Sequence, residues 1–458
     1  MGNLLTSLFN TANSMRAVEL ALNVTENNVV NSSTPGYAKQ TPTFVAMPFD
    51  LTVGLPGGVK SGPVQSSRDA FAERSVRDQQ TGLGLYDQKA SDLTQVQTYF
   101  DLSNTSGIGP ALSKLFQSFS QLSINPNDTV SRQSVLDQAQ TVAQSFQHAA
   151  AGLGTEGTSI DQDARSTIDS INRLAGEIAD INGQNRVDPT GGIDAGVDAQ
   201  LNSTLEQLSQ LVNFTALQMP DGTVTVYIGG QTPLVVGGQT FAISGDFSTA
   251  QTAIQNNAGS DITGQITGGK LSALLDDKNN ILPSYMQDLN TLAQSVADQV
   301  NTTLQNGIDQ NGAAPAVDLF SYDPNLGAAV TMGVNSMTPD QIAAALPGAP
   351  GGNGNALNLA ALANGKNLSN YTFAQFYGNL GGRVGRDLST ATENQSTKQQ
   401  LLSQAQAMRQ QASGVSLDQE AENLIAFQRS YQANAKMLTV LNSLTDTLMG
   451  LIGTAPTM

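Results

Sequence analysis

Large apolar residues recur at alternating spacings of four and three at both ends of this chain. At the start they are Leu4, Leu8, Met15, Val18, Leu22 and Val29, with Thr11 and Thr25 completing the series. At the finish they are Leu424, Phe427, Tyr431, Leu438, Leu441, Leu448 and Ile452, with Asn434 and Thr445 in the gaps. This spacing is the seam of a coiled coil, so each end predicts a long helix with one apolar stripe. The first helix must stop before Pro35-Gly36, because proline lacks a donor and glycine tolerates positive φ. Asp418 and Glu420 stand near the start of the last helix, where the dipole favours negative charge.

Such a helix is marginal alone. Ordering its backbone costs roughly 1–2 kcal/mol per residue, and each large buried side chain returns about 1.5–3 kcal/mol. The stripe needs a partner, and the nearest in kind is the stripe at the opposite end. A two-helix pair would still show Phe9, Val30, Ile425 and Leu451, which sister copies could cover. Periodicity alone leaves a second arrangement open, in which both ends dock on the chain's own interior.

Between the ends, further stripes run through Val135–Leu153, Ile160–Ile181, Leu201–Leu211, Leu282–Val300 and Phe376–Leu388, the last continuing toward Met408. They predict an elongated antiparallel helical bundle. The period switches to two at Thr223–Ile228, Leu234–Val236 and Thr240–Ile243, a small β element inserted in the bundle. The expected class is therefore mainly α. Residues 1–40 with 410–458 form the paired terminal domain, and 41–215 with 265–306 and 366–409 the bundle. Residues 216–264 hold the β insertion. Residues 307–365, rich in Gly, Ala and Asn, form a loosely ordered excursion with one short helix near Pro339–Leu346.

Chemistry is sparse. There is no cysteine, which excludes disulfides, thiol catalysis and Cys-held metals. The one histidine, His148, lies in an alanine-rich helical stretch and reads as an ordinary helix residue. Asp276-Asp277 are adjacent, face different directions on a helix, and read as solvated surface. Asp309-Gln310-Asn311-Gly312 starts like a calcium loop but fails at Ala313 and Ala314. No enzyme, cofactor or metal is expected. The net charge of −17 argues against nucleic acid, and no apolar run approaches the ~20 residues of a membrane span. Charged residues make up 13%, about half the usual share of roughly 25%, a surface with little repulsion between copies.

Two motifs carry more. After the first helix comes Asn27-Asn28-Val29-Val30-Asn31-Ser32-Ser33-Thr34-Pro35-Gly36-Tyr37-Ala38-Lys39-Gln40. Near the end comes Ser413-Gly414-Val415-Ser416-Leu417-Asp418-Gln419-Glu420, then Gln428, Tyr431, Ala433 and Ala435 in the order Gln-x-x-Tyr-x-Ala-x-Ala. Together they resemble the signatures of the flagellar hook–filament junction family of hook-associated proteins. The departure is Ser32-Ser33, where the family often has an apolar residue and Asn. Rod and hook subunits share the Tyr-centred core but usually lack the Ser-Gly-Val-x-Leu-Asp run.

The resemblance implies a structural subunit of the bacterial flagellum. Its terminal helices would form an inner tube and its middle the outer domains. It implies export unfolded without a cleaved signal, assembly into a homo-oligomeric ring, and contacts with the hook protein and a second hook-associated junction protein. It also implies an export chaperone on the C-terminal helix. The stripe residues would be the assembly interface, and Pro35-Gly36-Tyr37 would turn the chain toward the bundle. The rivals are another axial protein (rod or hook subunit) and a secreted adhesin or polysaccharide-acting protein. For the latter only Tyr227 and Phe241 supply aromatics near the β element.

Overall fold

A computed structural model describes residues 2–50, 55–100, 106–185, 194–366 and 368–453. The fold is mainly α with small sheets. The helices are α1 (Gly2–Val30), α2 (Ala70–Tyr99), α3 (Ile108–Ile124), α4 (Thr129–Asn185), α5 (Ala195–Leu211), α6 (Gly269–Asp276), α7 (Leu282–Gln305), α8 (Ala328–Thr331), α9 (Gly354–Ala361), α10 (Phe373–Ser413) and α11 (Leu417–Gly453). The strands are β1 (Gln40–Thr41), β2 (Phe44–Asp50), β3 (Leu55–Ser61), β4 (Gln65–Ser66), β5 (Phe214–Gln218), β6 (Val224–Ile228), β7 (Thr232–Val236), β8 (Gln239–Thr240), β9 (Ser244–Asp246), β10 (Ala253–Gln255), β11 (Phe320–Ser321) and β12 (Gly333–Val334).

The chain divides into two compact units. One comprises residues 1–81, 171–242 and 398–458, the other 82–170 and 243–397. The first holds α1, α11, α5, the four-stranded antiparallel sheet β5-β6-β7-β8 and the hairpin β2-β3. Its sheet buries Val224, Val226, Ile228, Leu234 and Val235. Asn182 of α4 fastens the sheet, donating to the carbonyls of Val224 and Gly237 and accepting from the Val224 amide, each at 2.8 Å. A buried amide that meets its partners this fully costs nothing in lost hydration.

Strands β6 and β7 stand where the β-branched runs put them, whereas the strand expected at Thr240–Ile243 is only the two-residue β8, Gln239–Thr240. The edge strand β5 and the strands between residues 40 and 66 had no such signal, since Pro, Gly and Gln interrupt their alternation. β3 comes close to α1, where Asn10 donates to the Gly57 carbonyl and Ser14 to the Val59 carbonyl at 3.4 Å. Gly57 and Gly58 have φ of +73° and +134°, and a side chain on Gly58 would lie 3.3 Å from Asn10 Cβ. Glycine is what lets strand and helix approach.

The Val135 and Ile160 stripes turn out to be one helix of 57 residues, α4, which continues through Gly152-Leu153-Gly154 and contributes residues to both units. Gly152 is packed under the ring of Tyr99, so a Cβ there would meet Cδ1 at 2.4 Å. Helices α2 and α3 had no stripe singled out in the sequence; α3 buries Leu112, Leu115, Phe119 and Leu122, and Phe116 stacks on Phe373 with centroids 5.9 Å apart.

Residues 307–365 differ from the loose excursion expected. They bury Leu319, Phe320, Met332, Ile342 and Leu359, with α8 and α9 packed on α7 and α9 also on α3. The helix expected at 339–346 is a single 3₁₀ turn, Pro339–Gln341. Fully buried Arg132 holds this segment, donating to the carbonyls of Pro126 (2.8 Å), Pro339 (3.1 Å) and Ile342 (2.6 Å). Apolar residues without period and one buried guanidinium thus order a stretch that composition reads as loose.

Candidate assembly interface

The residues from Thr34 to Tyr37 form a type II turn. The Tyr37 amide donates to the Thr34 carbonyl at 3.1 Å, Pro35 takes the second position, and Gly36 has φ +75° in the third. A Cβ on Gly36 would stand 2.3 Å from the Ala199 carbonyl oxygen of α5, so both dihedral and space demand glycine. The turn sends Tyr37 back under α1, where its hydroxyl donates to Asn28 Oδ1 at 2.9 Å.

Asn28, 1% exposed, is the hub. Its Oδ1 also accepts from the Gln40 amide at 2.9 Å. Its Nδ2 donates to the Gln40 carbonyl at 2.8 Å and to Glu420 Oε2 at 3.1 Å. Glu420, in the first turn of α11, is likewise 1% exposed. Lys39 Nζ approaches its other oxygen to 3.0 Å and also donates to Gln419 Oε1 at 2.9 Å. The backbone completes the clasp: Lys39 N donates to Ser413 O at 2.9 Å, and Asp69 N to Ser413 Oγ at 3.1 Å. Burial, then the Glu420 charge, pushes the Tyr37 phenol up to about 12. The two family motifs thus close on each other and fix the end of α1 to the start of α11, so the helices pack antiparallel.

A second network braces the same turn. Arg68 donates to Gly36 O (2.6 Å), Asp198 (2.8 Å) and Glu73 (2.5 Å), and Arg409 donates to Glu206 (2.6 Å) and Glu73 (3.3 Å). Four chain segments converge on Glu73 and Arg68. Apart from Gly36, sequence reasoning singled out none of these residues, nor Glu420 as a hub, because their partners are remote in the chain.

The stripes meet as expected but do not close. Leu4, Leu8, Met15 and Leu22 are half-buried and Val18 is buried; Leu424, Phe427, Tyr431, Leu438 and Leu441 are all half-buried. Val29 and Leu448 are exposed, and Ile452, in the last turn of α11, lies outside the residues whose side chains are described. Phe427 reaches Phe44 of β2, with ring centroids 6.2 Å apart. Beside the stripes, Leu5, Phe9, Val30, Ile425, Met437, Val440, Leu444 and Met449 face solvent; Phe9 is 65% exposed and Met449 64%. An apolar cleft of about 400 Å³ opens between Val29, Val30, Leu417, Ala421 and Leu424, next to Glu420. These exposed apolar side chains lie on both helices of the pair.

Of the remaining motif residues, Ser413 and Asn28 are in the clasp, and Gly414 and Val415 make the bend between α10 and α11, where Gly414 N donates to Gln410 O at 2.9 Å. Asn27, Pro35, Asp418, Gln428 and Ala433 are exposed, and Ala435 is half-buried. His148 is exposed on α4. The Asp276-Asp277 pair is not solvated surface: Asp277 is 2% exposed. Among the described residues no helix is long and apolar enough to cross a membrane.

Comparison with known proteins agrees with this geometry. The family model "Flagellar hook-associated protein FlgK helical domain" matches residues 93–320, and "Flagellar basal body rod FlgEFG protein C-terminal" matches residues 399–451. Flagellar hook-associated protein 1 of Bacillus subtilis is 28% identical over 492 residues, covering 96% of each chain. That of Escherichia coli is 24% identical over 558 residues, covering 98% of this chain and all of the other. The flagellar hook junction protein FlgK from Burkholderia pseudomallei shares the fold, with TM-score 0.66 at 16% identity over 73% of this chain and 99% of that one. With a helical-domain match in its middle, an axial-protein ending at its close and full-length relatives of one name, this chain belongs to the FlgK family of flagellar hook-associated proteins.

Proposed function

We propose that the chain is a structural subunit of the junction between flagellar hook and filament, working by self-assembly of its terminal helices. The observation that carries this is the α1–α11 pair: clasped at one end by buried polar bonds, yet half-covered along its seam and apolar on its outer face. A pair that is held firmly but left uncovered is suited to lateral packing against copies of itself.

Leu4, Leu8, Met15, Val18, Leu22 and Val29, with Leu424, Phe427, Tyr431, Leu438, Leu441, Leu448 and Ile452, set the pair's geometry. The exposed residues beside them meet neighbours. Residues 1–40 with 410–458 act as the inner domain. The partners are further copies in a ring, the hook protein, a second hook-associated junction protein, and an export chaperone on the C-terminal helix. The site of action is the extracellular flagellum, reached by export without a cleaved signal. The family is structural, and we read this chain as structural rather than catalytic.

The test is addition of the purified chain to the ends of isolated hooks. Bound chain at one end, followed by polymerisation of filament protein on it, is the expected result. Failure to add to hook ends removes the junction assignment.

A further inference from the structure

The second unit encloses three carboxyl groups that form no ion pair among the described residues. Asp92 of α2, Glu156 of α4 and Asp277 are 7%, 7% and 2% exposed. Asp277 begins a π turn, Asp277–Ile281, between α6 and α7. Neither Asp277 oxygen, nor Asp92 Oδ2, meets a donor among the described groups; Asp92 Oδ1 accepts from Gln88 at 2.6 Å. Yet Asp277 faces Asp92 closely enough for a hydrogen bond between them. Two carboxylates have no donor to offer each other, so that bond exists only when one of them carries a proton.

The lysines nearby are already engaged. Lys89 pairs with Asp276 at 2.5 Å, Lys278 with Asp161 at 2.6 Å, and Lys270 lies 3.7 Å from Asp163. On the α7 and α10 side, Tyr285 donates to Asp387 at 2.6 Å and Arg383 pairs with Asp288 at 2.7 Å. These lysines thus pair with outer acids, and Lys89 and Lys270 act on Asp277 and Asp92 only from a distance, outweighed by burial. An ionised carboxylate buried without a partner is so costly that the group neutralises instead.

We infer that Asp92, Glu156 and Asp277 form a proton-holding site, with one proton shared between Asp92 and Asp277, and that the protonated form is the one in which this unit packs firmly. Burial, then the Asp92 charge, drives Asp277 strongly upward from the usual carboxylate range; burial raises Asp92 too, and burial followed by Asp92 and Asp163 takes Glu156 to about 7. All three are raised, so the sign is fixed. Below the ordinary carboxylate value of about 4, folded and unfolded chains are both protonated and nothing is lost. As pH rises through neutrality the unfolded chain has released protons that the folded chain keeps, and stability falls. The unit is a fold that loosens toward alkaline pH.

The experiment is urea unfolding of the full chain across a pH series, with amide exchange followed in residues 85–100, 150–165 and 270–285. The unfolding constant of these segments should rise by up to about tenfold per pH unit for each proton held. Asp277→Asn should flatten that rise and strengthen the unit at alkaline pH, and Asp92→Asn should do the same. An unchanged slope in both variants overturns the proposal. Infrared spectroscopy of the wild-type chain gives a reading that needs no variant. A protonated-carboxyl band at neutral pH that fades on alkalinisation supports the site, and its absence at neutral pH overturns it.

Discussion

Asn28 donates a hydrogen bond of 3.1 Å to Glu420, a partner 392 residues away. Both side chains are buried, and the bond joins the last turns of the first helix to the first turn of the last. Such a bond couples the two helices, because parting them leaves one N–H of Asn28 and one oxygen of Glu420 without a partner away from water.

Replacing Lys39 by Ala leaves the Glu420 carboxylate buried without its cation. Removing one member of a buried pair costs about 3–5 kcal/mol. Lys39→Ala should therefore uncouple α1 from α11, seen as faster amide exchange in residues 20–30 and 417–427, while the second unit keeps its protection. Glu420→Gln, which keeps a hydrogen-bonding side chain, should cost less.

Gly36→Ala meets two penalties, a positive φ and a Cβ 2.3 Å from the Ala199 carbonyl. The strain amounts to roughly 1–3 kcal/mol from the backbone alone. A lower urea midpoint for the unit that holds α5 is expected, whereas Pro35→Ala, at an exposed position, should cost much less.

Tyr37 ionises late, at about 12, because its phenol is buried beside Glu420. Its folded value is raised above the ordinary ~10, so its contribution to stability is intact below pH 10 and is lost as pH climbs toward 12. Burial and their Asp387 and Asp298 partners raise Tyr285 and Tyr322 as well, so an ultraviolet titration should find several late phenolates in wild type and one fewer in the step near pH 12 in Tyr37→Phe.

Leu444→Asp places a charge on the outer face of α11 at a side chain 48% exposed. It should abolish addition to hook ends and self-assembly while leaving thermal unfolding of the second unit unchanged. The more covered Leu438→Asp should also loosen α1 from α11. Loss of the second unit together with assembly in Leu444→Asp would show that this face belongs to the folded monomer.

Arg132→Met removes the donors that hold the carbonyls of Pro126, Pro339 and Ile342. Each carbonyl left unsatisfied costs about 1–3 kcal/mol. Limited proteolysis should cut first within residues 307–365 in this variant and not in wild type.

The terminal helices, the β-branched strands and the length of α10 were legible from sequence, because side-chain period reports which face of a local element is apolar. The clasp was legible only as two motifs. Nothing in Asn28 or Glu420 taken singly says that the other is its partner. The 307–365 excursion shows the same limit: it has buried residues and no stripe.

What the sequence determined by itself was the local conformation of its ends and its family, both written in short-range spacing. What the tertiary structure alone decided was which polar groups are dry. Asp276 and Asp277 are neighbours of one chemistry, yet one pairs with Lys89 and the other is sealed against Asp92. Burial is set by the elements that pack around a residue, and the free energy of a charge depends on that surrounding medium rather than on the residue's name.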